Sequence, residues 1–218
     1  MKTRLRYKIL LVAIILSVCS AAICSEEIKS IKLLPPQNDG GKPLMQALKE
    51  RKSSREFSSK ELTPQALSDL LWAACGVNRP SSGGRTAPTA KNMQEIDVYV
   101  VTSEGVFLYD ALTNMLTPVL AGDIRALTGK QPFVKDAPIN LIFVADLSRM
   151  AGMSVEDVDF YAATDTGFIS ENVYLYCASA GLATVVRGWV DKRVLAKAMK
   201  LRSDQRIILA QTVGYPKE

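Results

Sequence analysis

The chain has 218 residues, 48% of them apolar, enough for one domain with a real core and too few for two ordinary ones. Its net charge is +5, but Lys2, Arg4, Arg6 and Lys8 all precede the first acid, so the remainder is nearly neutral and offers no basic face for nucleic acid. There is no histidine, which excludes Ser-His-Asp and Cys-His catalysis, His-ligated metals and histidine proton shuttles.

Residues 1–24 read as a secretory signal peptide. Four cations lead into an apolar run, Ile9 to Val18, that is too short to span a bilayer comfortably. Ala22-Ile23-Cys24 offers a cleavage site before Ser25. Cleavage predicts a periplasmic or secreted protein with no stable membrane span. The alternatives are an uncleaved anchor, or a lipid anchor at Cys19 or Cys24, where the branched Val18 and Ile23 stand in place of the usual small residue. The mature chain keeps Cys75 and Cys177, each in an apolar helical pattern, which favours two buried free thiols over the disulfide that an oxidising compartment would also allow. Two cysteines do not build a four-thiolate site, so no metal is expected. The chemistry then falls to a cofactor or to carboxylates.

Residues 25–42 are mostly polar, end in Pro35-Pro36-Gln37-Asn38-Asp39-Gly40-Gly41, and read as a linker to a domain over 43–218. A short helix follows, with Pro43 at its start and Leu44, Ala47 and Leu48 on one stripe. Next comes Arg51-Lys52-Ser53-Ser54-Arg55-Glu56-Phe57. In an extended chain Arg51, Ser53, Arg55 and Phe57 share one side, and Lys52, Ser54 and Glu56 the other. Two guanidinium forks and a hydroxyl on one side suit a phosphate, because Arg donates in pairs to a dianion. The simpler reading is that cations gather where the preceding helix ends and its dipole favours them.

Thr63 and Pro64 open a second helix, carried by Leu67, Leu70, Leu71 and Ala74 and stopped by Gly76. Arg79 to Gly84 is a loop. Ile96–Thr102 and Val106–Tyr109 form a hairpin around Ser103-Glu104-Gly105, and Asp123 caps a short helix. Ile139 to Ala145 is a nearly continuous apolar run, expected of a strand covered on both faces. Ser154, with Asp157 three residues on, starts a helix running to about Ala180. Its seam of Ala162, Thr166, Ile169, Val173, Tyr176 and Ala180 serves either the chain's own core or a twin helix across a two-fold axis. On the same helix, Asp165 is expected to pair with a nearby Arg. Gly181 ends the helix, Thr184 to Trp189 is a strand or loop, Asp191 caps a helix to about Met199, and Arg206–Val213 is a last strand. The pattern predicts an α+β fold, a mostly antiparallel sheet with helices around it.

The segment Arg51–Phe57 resembles the Arg-x-Ser-x-Arg-x-Phe opening of the FMN-dependent nitroreductase superfamily. Leu70–Asn78 and Gly84-Arg85-Thr86-Ala87-Pro88-Thr89-Ala90 resemble its SagB-type dehydrogenase branch. So, in order, do Gly105–Asp110, Ala121–Arg125, Gln131–Pro138, Glu171–Leu175, Gly181–Thr184 and Val213–Pro216.

The resemblance implies a nitroreductase-like fold forming an intertwined homodimer, with FMN at each end of the subunit interface. It implies that Arg51, Ser53 and Arg55 hold the phosphate and the pyrimidine side of the flavin. Pro88, Thr89, Ala90 and Asn92 would come from the other subunit. Arg187 and Gly188 would bring backbone amides near the reactive edge of the ring. The implied activity takes two electrons, as hydride from NADH or NADPH, to a small-molecule electron acceptor. A catalytically silent flavin- or ligand-binding protein and a SagB-like azoline oxidase are the alternatives. Thr89-Ala90-Lys91-Asn92, where the SagB-type branch commonly shows Ser-Ala-Gly, lies nearer the general nitroreductase pattern.

Overall fold

The computed structural model describes residues 28–217, so the segment read as a signal peptide lies outside the described residues. β1 (Ile31–Lys32) comes first, then α1 (Leu44–Glu50), α2 (Pro64–Cys75) and a small ribbon of β2 (Val77–Arg79) with β3 (Gly84–Arg85). A meander follows, of β4 (Ile96–Val101), β5 (Gly105–Asp110) and β6 (Met115–Ala121). β7 (Ile139–Asp146), the long α3 (Val155–Ala180), β8 (Ala183–Arg187), α4 (Lys192–Ala198) and β9 (Gln205–Gly214) complete the chain. Among the described residues seven strands make one sheet, ordered β1-β6-β5-β4-β7-β9-β8, with every pairing antiparallel.

All eight residues of β7 are buried because the sheet is covered on both faces. Side chains alternate across it: Ile139, Leu141, Phe143 and Ala145 enter the core shared with α2 and α3. Ile142 and Val144 enter a second core, closed by Leu195 and Met199 from the α4 side. The helix ends follow their capping residues. Thr63 Oγ1 accepts from Ala66 N at 3.2 Å, and Ser154 Oγ accepts from Asp157 N at 3.1 Å. α3 stops at Gly181, whose φ of 73° is the left-handed turn that a glycine adopts without strain.

The α3 seam turns into its own chain. Ala162, Thr166, Ile169 and Val173 are buried, mostly against α2 and the sheet, while Tyr176 is half-buried and Ala180 at the helix end is exposed. What α3 leaves outside is a different stripe, with Phe160 and Phe168 63% and 43% exposed and Gly167 between them. A Cβ built on Gly167 would meet no atom within 4 Å.

The stretch read as a linker is held against the domain over its described part. Ile31 and Lys32 pair with Leu116 and Met115, Leu33 is buried, and Leu34 O accepts from Ser68 Oγ at 2.5 Å and Asn114 Nδ2 at 2.9 Å. Ile31-Lys32-Leu33-Leu34 is a short apolar island that an average over a polar segment hides. β6 escaped the sequence reading for a related reason. Pro118 sits inside it, and proline argues against a central strand. It is accommodated because β1 covers only Met115 and Leu116 on that side, and the ladder shifts register near it.

Candidate functional site

Arg51–Phe57 is extended and lies along the sheet edge. Ser54 N donates to Thr184 O at 2.9 Å, Ser58 N to Tyr215 O at 2.9 Å, and Phe57 bridges Pro216. Arg51, Ser53 and Phe57 meet aromatic partners. The Arg51 guanidinium lies 5.3 Å from the centre of the Tyr174 ring, and Ser53 Oγ is 2.8 Å from the Tyr174 hydroxyl. Phe57 turns inward onto Phe133, with ring centres 5.5 Å apart. Arg55 is exposed, and among the described residues neither Arg51 nor Arg55 has a carboxylate partner. The even residues Lys52, Ser54 and Glu56 line a cleft of about 480 Å³, together with Tyr174, Lys42, Glu50 and Lys217. Lys42 and Glu50 neutralise each other there, at 2.5 Å.

Tyr174 was not singled out from sequence, although it lies in one of the stretches that carry the resemblance. Its hydroxyl also accepts from Val186 N at 3.0 Å, so it ties α3 to the edge strand β8 as well as to Ser53. A tyrosine in an apolar helical pattern needs a partner for its hydroxyl, and that is the signal that could have flagged it.

The Pro88–Asn92 loop is built around two buried acids. Thr89 Oγ1 donates to Glu95 Oε2 at 3.1 Å and accepts from Gln94 N at 3.0 Å, while Ala90 N donates to Asp165 Oδ2 at 2.8 Å. Asn92 Oδ1 accepts from Gln94 Nε2 at 3.1 Å. Lys91 and Asn92 have φ of 51° and 55°, a left-handed conformation that residues with a Cβ rarely adopt. Pro88, Lys91 and Asn92 are exposed, so this loop presents its polar tip outward.

Glu95 is fully buried, and its Oε1 has no hydrogen-bond partner. Burial, and then the neighbouring Asp165, hold its carboxyl above the usual carboxylate range. The expectation that Asp165 pairs with an arginine is therefore corrected: its partners are a backbone amide and another acid.

Arg187 turns inward. Its guanidinium is buried within the domain, donating to Thr128 O, Asn140 Oδ1 and Thr212 Oγ1 at 2.8–2.9 Å, and desolvation pulls it down to about 10. Gly188, the next residue, is exposed. A Cβ on Gly188 would meet nothing nearer than Leu209 at 3.7 Å, so the approach to that backbone is open.

The structure thus brings Arg51 and Ser53 together on Tyr174, near the end of β8, and brings Thr89, Ala90 and Asn92 together near Asp165 and Glu95. No hydrogen bond joins the two groups among the described residues. α3 carries both Asp165 and Tyr174, nine residues apart, or about 14 Å along the helix axis.

The comparisons bear on this arrangement. The sequence model of the nitroreductase family matches residues 48–215, from the helix before the arginine segment to the residue before Pro216. The chain belongs to the nitroreductase family. A solved structure from Ralstonia eutropha, named as a nitroreductase, is 45% identical and superposes with a TM-score of 0.85, over 89% of this chain and 92% of that one. A protein of Methanocaldococcus jannaschii, also named as a nitroreductase, is 30% identical over 73% of this chain and 85% of its own. The NADPH:FMN oxidoreductase of Vibrio harveyi, solved with NAD+, is 18% identical, with a TM-score of 0.60 over 80% of this chain and 69% of its own, and shares the fold. The nitroreductase chain therefore has the oxidoreductase fold that its motifs imply.

Proposed function

We propose that this nitroreductase is an FMN-dependent oxidoreductase whose flavin sits between two copies of the chain and passes two electrons, as hydride, from NADH or NADPH to a small-molecule acceptor. One observation carries the reading: on one extended segment, Arg51 and Ser53 are held against Tyr174 and Arg55 is exposed beside them, and among the described residues neither guanidinium has a carboxylate partner. Those donors fit an anionic cofactor. Arg51 and Ser53 would hold the phosphate, and Arg55 the pyrimidine side of the ring, where reduction places negative charge. Bound FMN would supply the hydride chemistry.

The Thr89–Asn92 loop lies apart from the arginine segment in a single chain, which supports a second copy as the source of the opposite wall. The exposed Phe160 and Phe168 flanking Gly167 on α3 give that copy an apolar face to pack on. The leader-like opening adds the proposal of work outside the cytoplasm, which cell fractionation tests.

Purified protein is expected to be yellow or to become so with added FMN, and to bleach anaerobically with NADH or NADPH. Colourless protein that takes up no FMN contradicts the proposal. Bound FMN that neither nicotinamide reduces marks a catalytically silent flavin-binding protein.

A further inference from the structure

The Tyr174 hydroxyl has one hydrogen and two lone pairs. Val186 N–H already occupies one lone pair at 3.0 Å, and among the described residues the other partner is Ser53 Oγ at 2.8 Å. Tyr174 is 6% exposed. If Ser53 donated to Tyr174, the phenolic hydrogen of this largely buried ring would have no acceptor among the described residues, at a cost of up to about 1–3 kcal/mol. The opposite direction satisfies every group: Val186 N–H donates to Tyr174, and Tyr174 donates to Ser53. Ser53 is exposed, so its own hydrogen is then free to point away from the protein. Meanwhile the face of the same ring seats the Arg51 guanidinium.

We infer that Tyr174 is a positioning residue that makes Ser53 an obligate outward hydrogen-bond donor and seats Arg51 beside it, so that the two together select an anionic phosphate group. The inference rests on the flavin reading for the identity of the phosphate, but the relay itself is a property of the chain. Aligned donors polarise one another, so Ser53 donates more strongly than an isolated serine. An acceptor without negative charge gains little from this arrangement, and a phosphate gains most.

FMN and riboflavin differ only in the phosphate, and fluorescence quenching reads the affinity of each. Tyr174→Phe keeps the ring under Arg51 and removes the relay. It should weaken FMN about tenfold, the order expected for one charge-assisted hydrogen bond, and leave riboflavin unchanged. Ser53→Ala should do the same, and the double variant should be no weaker than either single one, because both remove one interaction. Riboflavin binding shows that a variant is folded. Where Tyr174→Phe does not fold, 3-fluorotyrosine at position 174 keeps the shape, strengthens the donor and should tighten FMN.

FMN affinity unchanged in Tyr174→Phe, equal losses for FMN and riboflavin, or additive losses in the double variant would overturn the inference. If the wild-type protein binds neither flavin, the flavin reading fails, and amide exchange in the apoprotein still decides the relay. The Val186 amide should be protected in wild type and in Ser53→Ala, and lose protection in Tyr174→Phe. A Val186 amide that exchanges freely in wild type removes the relay altogether.

Discussion

Asp165 Oδ2 accepts the backbone N–H of Ala90 at 2.8 Å, a bond that ties the middle of the long helix to the loop holding Thr89 and Asn92. The same carboxylate stands beside the buried Glu95, so it holds the loop at the expense of repulsion from a like charge. The two effects separate by substitution. Asp165→Ala removes the acceptor and should destabilise the protein by about 1–3 kcal/mol, the usual cost of stranding a buried amide. Asp165→Asn keeps an acceptor and removes the charge, and should be neutral or stabilising. Denaturant unfolding of the three proteins checks the order, and equal stability for Ala and Asn would contradict it.

Glu95 gives a pH dependence with a defined sign. Its folded carboxyl titrates above the ordinary value of 4.5, so in the window above 4.5 the folded state binds more protons than the unfolded state. Stability from this group is therefore fully present below that value and is lost as pH rises through the raised one. Glu95→Gln has no such loss. The stability difference between Glu95→Gln and wild type should grow in favour of glutamine as pH rises from 4.5. A difference that stays flat with pH would show that burial and Asp165 do not act on Glu95 as the geometry indicates.

Arg187 is a structural cation. Its guanidinium satisfies three acceptors inside the domain and, among the described residues, makes no ion pair, and a Cβ on Gly129 would collide with it. Arg187→Ala strands those acceptors and opens a cavity, so a loss of roughly 3 kcal/mol or more is expected. FMN affinity of the folded fraction should stay near wild type, since the guanidinium is turned into the domain. A variant of normal stability that no longer binds FMN would instead put the guanidinium at the cofactor.

Cys75 and Cys177 are both free and buried, and burial pushes the Cys75 thiol up to about 11 and the Cys177 thiol higher still. Native protein should therefore resist a thiol-reactive dye at neutral pH and label at both positions once unfolded. Rapid labelling of the native state would show that one of these thiols is accessible.

Much of the fold was legible because its signals are local. The apolar run at Ile139–Ala145 became the buried β7, and Thr63, Ser154 and Gly181 set the helix ends they were read to set. Two elements were missed because one residue or segment argued against its context, Pro118 inside β6 and Ile31–Leu34 inside a polar stretch, and the short β2–β3 ribbon was missed because its ends sit on what reads as a Pro-, Ser- and Gly-rich loop. At the site, the alternation of Arg51–Phe57 could be read because an extended chain has a fixed period. Tyr174 and Glu95 could not. Their meaning comes from partners far along the chain: Ser53 and Val186 for one, Asp165 for the other. Whether α3 packs inward or on a twin was likewise open in sequence, since both use a small-residue stripe. The sheet settled it by burying Ala162, Ile169 and Val173.

The central claim is that the arginine segment of one chain and the Thr89–Asn92 loop of another make one flavin site, and mixing subunits tests it most directly. Chains carrying Arg51→Ala with Arg55→Ala are combined with chains carrying Thr89→Ala with Asn92→Ala, under conditions that exchange subunits, and bound FMN is counted. Each parent alone should bind little FMN. The mixed dimer should regain one tight site for every two chains, because one of its two flavin sites then holds both intact halves. No recovery on mixing, with both parents folded and exchanging, would contradict the shared site.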